Sequence, residues 1–278
     1  MGMEWTLTQK RRLRELNAGC EILNGDFSTP SERDEAFRLM EKFLVKREKE
    51  RLFLLRDVHR RPGLCLLEDN LAKALVSAGF VQVVTPMIIT AESLEKMSVG
   101  NDHPLRKQVY WVDDRHCLRP MLAPNLYVML RSLKRIWGTP VRIFEIGTCF
   151  RRDSRGRSHL NEFTMLNLVE LEAEYHDSLG RLKELIDTVM SAVGMSGHEL
   201  CREESEVYGE TIDIVVGGHE VGSAVIGPNP LDDQWAITDP WVGIGFGLER
   251  LLVVKEGYDN IAKVGRSLAY LDGTSLRL

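Results

Sequence analysis

The run Gly243-Ile244-Gly245-Phe246-Gly247-Leu248-Glu249-Arg250 constrains this chain more than any other segment. Glycine at alternate positions of an extended stretch strips one face of side chains and lets a flat ring approach the backbone. The arginine that follows carries a planar guanidinium, which stacks on a base or holds a phosphate. Taken alone, the glycines fit either a structural corner of a sheet or one wall of a nucleotide site.

A second segment weighs on that choice. Upstream, Phe150-Arg151-Arg152-Asp153 ends one strand, and an alternating strand follows over Glu162–Leu171. Phe163, Met165, Asn167 and Val169 share one face of it; Thr164, Leu166 and Leu168 share the other. That face holds an aromatic ring and a primary amide about 13 Å apart, a separation suited to a base at one end and an amino-acid side chain at the other. Ser154–Ser158, with Gly156 between two arginines, reads as a mobile loop. Arg151 meets a requirement of adenylation: when a carboxylate attacks an α-phosphate, a fixed guanidinium stabilises the charge that builds there. Such chemistry needs no protein nucleophile, and the sequence offers no Ser/His/Asp or Cys/His set.

Composition narrows the class. The 278 residues can bury a sizeable core, with 44% hydrophobic and 28% charged residues, as in an ordinary globular protein. No apolar run approaches the ~18 residues of a membrane-spanning helix. The start, Met1-Gly2-Met3-Glu4-Trp5, lacks the basic and apolar regions of a secretory signal. Cys20, Cys65, Cys117, Cys149 and Cys201 are widely spaced, which predicts reduced thiols in a cytoplasmic protein and no zinc site. The net charge is −5, yet residues 1–62 hold 14 Lys+Arg against 11 Asp+Glu. That modest basic excess permits RNA binding there without requiring it.

The pattern along the chain predicts charged helices over residues 1–62, one of them capped by Ser31, and a boundary at Arg60-Arg61-Pro62-Gly63. A helix through Leu67, Leu71 and Leu75 ends at Gly79 and leads to a strand over Val81–Val84. Strands are expected at Val109–Val112, Val141–Glu145, Thr211–Val216, Glu220–Ile226 and Trp241–Phe246, with helices from Pro124 to Trp137 and through Leu182–Val193. Strands without regular βαβ alternation predict an α+β fold, an antiparallel sheet flanked by helices.

The ordered pair of segments resembles motifs 2 and 3 of class II aminoacyl-tRNA synthetases, and the helix-Gly-strand-Pro stretch ending at Thr85-Pro86 resembles motif 1, the dimer-forming element of that class. Longer stretches narrow this. Cys117-Leu118-Arg119-Pro120-Met121-Leu122-Ala123-Pro124-Asn125-Leu126-Tyr127, His159-Leu160-Asn161-Glu162-Phe163-Thr164-Met165-Leu166-Asn167, Glu204-Ser205-Glu206-Val207-Tyr208 and Pro240-Trp241 resemble the pyrrolysyl-tRNA synthetase family. The similarity runs from about Leu7 to the C-terminus and resembles the compact form without a separate N-terminal tRNA-binding domain.

The resemblance implies a homodimeric class II core over residues 63–278, preceded by a helical tRNA-contacting segment over 1–62 whose basic residues include Arg11, Arg12 and Arg14. It implies ATP-dependent activation of pyrrolysine and its ligation to the amber-suppressor tRNA(Pyl). Arg151 would contact the α-phosphate, and Phe163 and Arg250 would sandwich adenine; Asp153, His159 and Leu160 would complete the ATP site. Glu220 and Ser223 would hold Mg²⁺, which requires a bulge near Gly222 because strict alternation separates them. Asn167 would hydrogen-bond the carbonyl of the substrate's side-chain amide. Ala123, Leu126, Tyr127 and Leu130 would line the amino-acid pocket, with Val169, Tyr208, Val225 and Trp241. The sequence departs from the family at Asp153, where Glu is usual, and at Ile244, where Ala is usual; Ile244 is expected to reach the pocket floor. Two other readings stand: a class II synthetase for a different amino acid, or an inactive tRNA-binding paralogue.

Overall fold

The computed structural model describes residues 2–153, 159–172 and 176–278; the loop expected over Ser154–Ser158 lies outside them. The chain divides into two compact units, Met1–Cys65 with Ala262–Leu278, and Leu66–Ile261. In the first, β1 (Met3–Glu4) pairs with β2 (Asp26–Phe27), and helices α1 (Leu7–Glu15), α2 (Cys20–Leu23) and α3 (Pro30–Leu54) enclose Trp5, Leu13, Leu16 and Leu44. α1 begins at a capping box in which Thr6 and Gln9 each accept from the other's backbone N–H. The cap of α3 is Thr29, not Ser31. Thr29 Oγ1 accepts from Glu32 N and Pro30 supplies the fixed first helical residue, which puts Ser31 inside the first turn.

The second unit is built on a sheet with helices around it. After α4 (Gly63–Ser77) come β3 (Val81–Gln82), β4 (Ile88–Thr90), α5 (Ala91–Glu95), β5 (His116–Leu118) and α6 (Ala123–Trp137). The long strands are β6 (Val141–Phe150), β7 (Glu162–Leu171), β8 (Glu199–Ser205), β9 (Gly209–Val216), β10 (His219–Gly227) and β11 (Trp241–Gly247). Helix α7 (Ser178–Val193) falls between β7 and β8, and α8 (Leu248–Glu256) follows β11 directly. Strand order is β3-β6-β7-β11-β10-β9-β8, antiparallel except for the short parallel pair of β3 with β6. The residues Ala262–Leu278 return to the first unit, where β12 (Tyr270–Leu271) and β13 (Thr274–Ser275) form a hairpin.

Three local expectations change. The strand foreseen at Val81–Val84 is reduced to two residues, continued by one bond from Val83 N to Phe144 O at 2.8 Å. Val109–Val112 is not a strand but a single bridge at Trp111, because a 3-10 helix (Pro104–Gln108) precedes it and Asp113 accepts from the N–H groups of Arg115 and His116 to turn the chain back. Strand β8 went unforeseen; its Glu-Leu-Cys-Arg-Glu-Glu-Ser run is charged as an exposed edge strand is.

Candidate active site

Register fixes what the sheet presents. Gly243 pairs with Val169 and Val225, and Gly245 with Asn167 and Ser223, so these residues share one face. The glycines leave this face bare: a Cβ at Gly245 would lie 3.2 Å from Asn167 Nδ2, and one at Gly243 2.8 Å from the Trp241 ring. Above it lies a cavity of about 700 Å³, which every residue named from the sequence for ATP, Mg²⁺ or the amino acid helps to line.

Arg151 leaves β6 half-buried. Its Nε donates to Pro120 O at 2.9 Å, and its guanidinium stands 5.4 Å from the centre of the Phe163 ring. Burial pulls its pKa below the ordinary value, and the positive charge of Arg250 pushes the same way against the opposing influence of Cys149, Asp153 and Glu220. An arginine stays charged under such pressure, so the site holds a poorly solvated cation suited to an anionic ligand. Asp153 takes a backbone bond from its N–H to Asn161 Oδ1 at 3.3 Å, and its carboxylate lies 3.7 Å from His159 Nε2.

Glu220 and Ser223 reach the same wall through an irregularity. Glu220 faces Val215 and Gly222 faces Ile214, so two steps along β10 match one along β9 and Val221 is the extra residue of a bulge. Ser223 then stands opposite Asp213 on one side and Gly245 on the other. Their carboxylate and hydroxyl are oxygen donors of the kind a hard divalent cation takes.

The deep end is apolar and aromatic. Tyr127 stacks on Trp235 at 5.2 Å and meets Trp241 edge-on at 5.8 Å and 83°. Tyr208, from the β8–β9 turn, joins them; its backbone N–H and that of Val207 donate to Ser205 Oγ. Burial raises the pKa of both tyrosines, so their hydroxyls remain protonated donors. Asn167 stands apart in this lining: its Oδ1 is buried without a hydrogen-bond partner, an arrangement that a ligand donor or acceptor would relieve.

Ile244 is the correction. It pairs with Leu168 and Ala224, on the face opposite Gly243 and Gly245, and it is 2% exposed. By register its side chain therefore projects to the face opposite Gly243 and Gly245, although the residue itself is part of the cavity lining.

Several lining residues were not foreseen: Leu105, Met121, Met165, and the Glu203–Val207 run of the β8–β9 hairpin. Met165 was legible from its place between Phe163 and Asn167 on the cavity face. On the same face, Glu145, the cross-strand partner of Asn167, is 1% exposed and paired with Arg119 at 2.8 Å. Glu145 also accepts from Thr85 N and Oγ1, so three donors surround one carboxylate.

Comparison with known proteins extends the geometry. Residues 60–227 match the family model of the phenylalanyl-tRNA synthetase beta chain CLM domain. The chain is 26% identical over 167 residues to the threonine--tRNA ligase of Wolbachia sp. subsp. Drosophila simulans (strain wRi), covering 56% of this chain and 25% of that one. It is 29% identical over 153 residues to the lysine--tRNA ligase of Carboxydothermus hydrogenoformans (strain ATCC BAA-161 / DSM 6008 / Z-2901), covering 54% and 27%. It thus spans about a quarter of the length of these curated relatives. The fold is that of a class II aminoacyl-tRNA synthetase. The crystal structure of pyrrolysyl-tRNA synthetase from Desulfitobacterium hafniense superposes with a TM-score of 0.95 at 51% identity, over 100% of both chains. The chain belongs to the pyrrolysyl-tRNA synthetase family.

Proposed function

We propose that this chain activates pyrrolysine with ATP and joins it to its cognate amber-suppressor tRNA. The observation that carries this reading is Asn167: one amide oxygen without a partner among the described residues, in a mostly apolar cavity that Arg151 also lines, on the same strand face as Phe163. A long, largely apolar side chain with one amide suits that lining better than a short polar one does. Family membership supports the same substrate.

In this reading Arg151 and Arg250 are the catalytic pair. Arg151 holds the α-phosphate and stabilises the charge that builds as the amino-acid carboxylate attacks it, and Arg250 with Phe163 encloses the base. Asp153, His159 and Leu160 complete the nucleotide wall. Glu220 and Ser223 supply the oxygens for Mg²⁺, which when bound would neutralise triphosphate charge. Asn167 orients the substrate side chain, and Tyr127, Trp241 and Tyr208 exclude water around it. The N-terminal segment over residues 1–62 contacts tRNA; Arg11, 82% exposed and ion-paired with Glu15 at 3.5 Å, would exchange that carboxylate for phosphate. The exposed apolar side chains of Val81, Val84, Met87 and Ile88 support a homodimer formed through the α4–β3 region. Free cysteines support a cytoplasmic setting; among the described residues no helix is long and apolar enough to cross a membrane.

Amino-acid-dependent ATP–pyrophosphate exchange with pyrrolysine, lysine, threonine and phenylalanine tests the reading, followed by charging of the tRNA. Exchange with pyrrolysine alone is expected. Exchange only with another amino acid would move the chain to a different specificity, and none at all from a folded protein would leave a tRNA-binding paralogue.

A further inference from the structure

Asp232 does not line the cavity and carries no motif, yet it is 1% exposed and takes three hydrogen bonds. Its Oδ1 accepts from Tyr127 Oη at 2.7 Å; its Oδ2 accepts from Trp241 Nε1 at 2.7 Å and from Asn229 N at 2.8 Å. The two aromatic donors come from α6 and β11, elements that are far apart in sequence. The carboxylate itself sits on a 3-10 helix (Pro230–Trp235) between them, whose capping box with Asn229 fixes its position. A buried carboxylate with three donors is held firmly, because each bond to an ionised acceptor is stronger than a neutral one.

The sheet is shaped for the same ring. Trp241 faces Gly227 across the β10–β11 ladder, and a Cβ at Gly227 would fall within the indole itself. Gly243, two residues along, is crowded by the other end of the same ring. Two glycines thus make room for one indole to lie along the cavity face, and Asp232 pins its N–H end.

We infer that Asp232 is a positioning residue that sets substrate length: by tying Tyr127 and Trp241 at a right angle it fixes the deep corner of the pocket. This rests on the proposed amino-acid activation, and it goes beyond it by placing control of specificity outside the cavity. Loosening the tie frees the two rings to move, which relaxes the fit to a pyrrolysine-sized side chain and makes room for a longer one. An amide in place of the carboxylate keeps the geometry: its oxygen still serves the two N–H donors, and its NH₂ donates to the Tyr127 hydroxyl, which reverses its role.

The test is pyrophosphate exchange with pyrrolysine and with a longer Nε-acyl-lysine, using the full chain. For Asp232→Ala the pyrrolysine KM should rise about tenfold while kcat and the ATP KM stay within about twofold, so the preference shifts toward the long substrate. Asp232→Asn should restore most of the parent's preference. If Asp232→Ala does not fold, Tyr127→Phe removes one tie and keeps the ring, and a smaller shift in the same direction is expected. A folded Asp232→Ala or Tyr127→Phe protein with the parent's ratio of the two substrates overturns the inference. Failure of the unsubstituted chain to exchange with either substrate would instead remove the functional reading, and this inference with it.

Discussion

Arg250 and Glu220 meet in an ion pair at 3.1 Å, and Arg250 also donates to the main-chain carbonyl of Glu220 at 3.2 Å. The arginine proposed to cover the base and the carboxylate proposed to hold magnesium therefore begin in each other's company. Nucleotide and metal would separate them: Glu220 would exchange the guanidinium for the cation, and Arg250 would exchange the carboxylate for the face of the base. Glu220→Gln removes the anionic donor, so the magnesium concentration for half-maximal exchange should rise by about tenfold or more. The pair is partly exposed, so stability should change by no more than about 1 kcal/mol. A magnesium titration beside a thermal melt checks both statements.

Ile244→Ala bears on stability alone. The side chain is buried on the face opposite Gly243 and Gly245, and removing it leaves a cavity costing about 2–4 kcal/mol. The ratio of kcat/KM between a short and a long lysine derivative should stay at the parent's value. Denaturant unfolding with exchange on the two substrates measures each effect, and a changed ratio at unchanged stability would place the side chain in the pocket after all.

Asn167→Ala should separate activity from stability in the opposite way. Loss of a buried hydrogen bond to the substrate amide is expected to lower kcat/KM for pyrrolysine by about 1–3 kcal/mol of activation free energy. Because Oδ1 is desolvated without a partner in the free protein, truncation should leave the melting temperature no lower than the parent's. Calorimetry of the ligand-free protein tests the second half.

Glu145→Gln should be the most damaging conservative change in the catalytic unit. It leaves Arg119, 3% exposed, as a buried cation without its anion. Removal of one partner from such a pair costs about 3–5 kcal/mol. Urea unfolding of the variant should show the loss.

Acid stability depends on Glu170. Burial acts to raise its pKa, but hydrogen bonds from Arg181 and Arg142 outweigh that, and the net shift is downward from 4.5. A carboxyl whose folded pKa is depressed contributes stability that is fully present above its unfolded value and is lost as pH falls through the folded one. Stability should therefore decline below about pH 4.5, and Glu170→Gln should flatten part of that decline in a series of melts between pH 3 and 6.

The parts of the site that are legible in sequence are those where periodicity and geometry agree. Strand Glu162–Leu171 and the junction of Gly247 with Leu248 fall where alternation and the glycine run place them. The bulge beside Gly222 follows once the family resemblance sets Glu220 and Ser223, three residues apart, on one face. Ile244 escaped because a position next to the pocket in sequence is, by the two-residue period, on the far side of the sheet. Asp232 and the Arg119–Glu145 pair escaped for another reason: their partners are brought together only by tertiary packing, and an acidic residue in Pro230-Leu231-Asp232-Asp233 reads locally as a solvated turn. Arg12, grouped from sequence with the exposed basic residues, instead bonds Glu41 and the Arg277 carbonyl, so its neutralisation would probe folding as much as RNA contact.

The bulge in β10 makes the chain sensitive to length. Val221 is an inserted step, and its neighbours owe their common orientation to the count of residues between them, not to their identity. Another buried apolar residue at 221 would leave Glu220 and Ser223 aimed at one point, whereas Gly222 has no room for a side chain, since a Cβ there would lie 2.7 Å from the Gly245 carbonyl oxygen. Deleting a single residue there would restore a regular ladder and swing the carboxylate to the other side of the sheet. Variation in this strand should therefore be closed to insertions and deletions, with exchanges at 221 confined to buried apolar residues and glycine kept at 222.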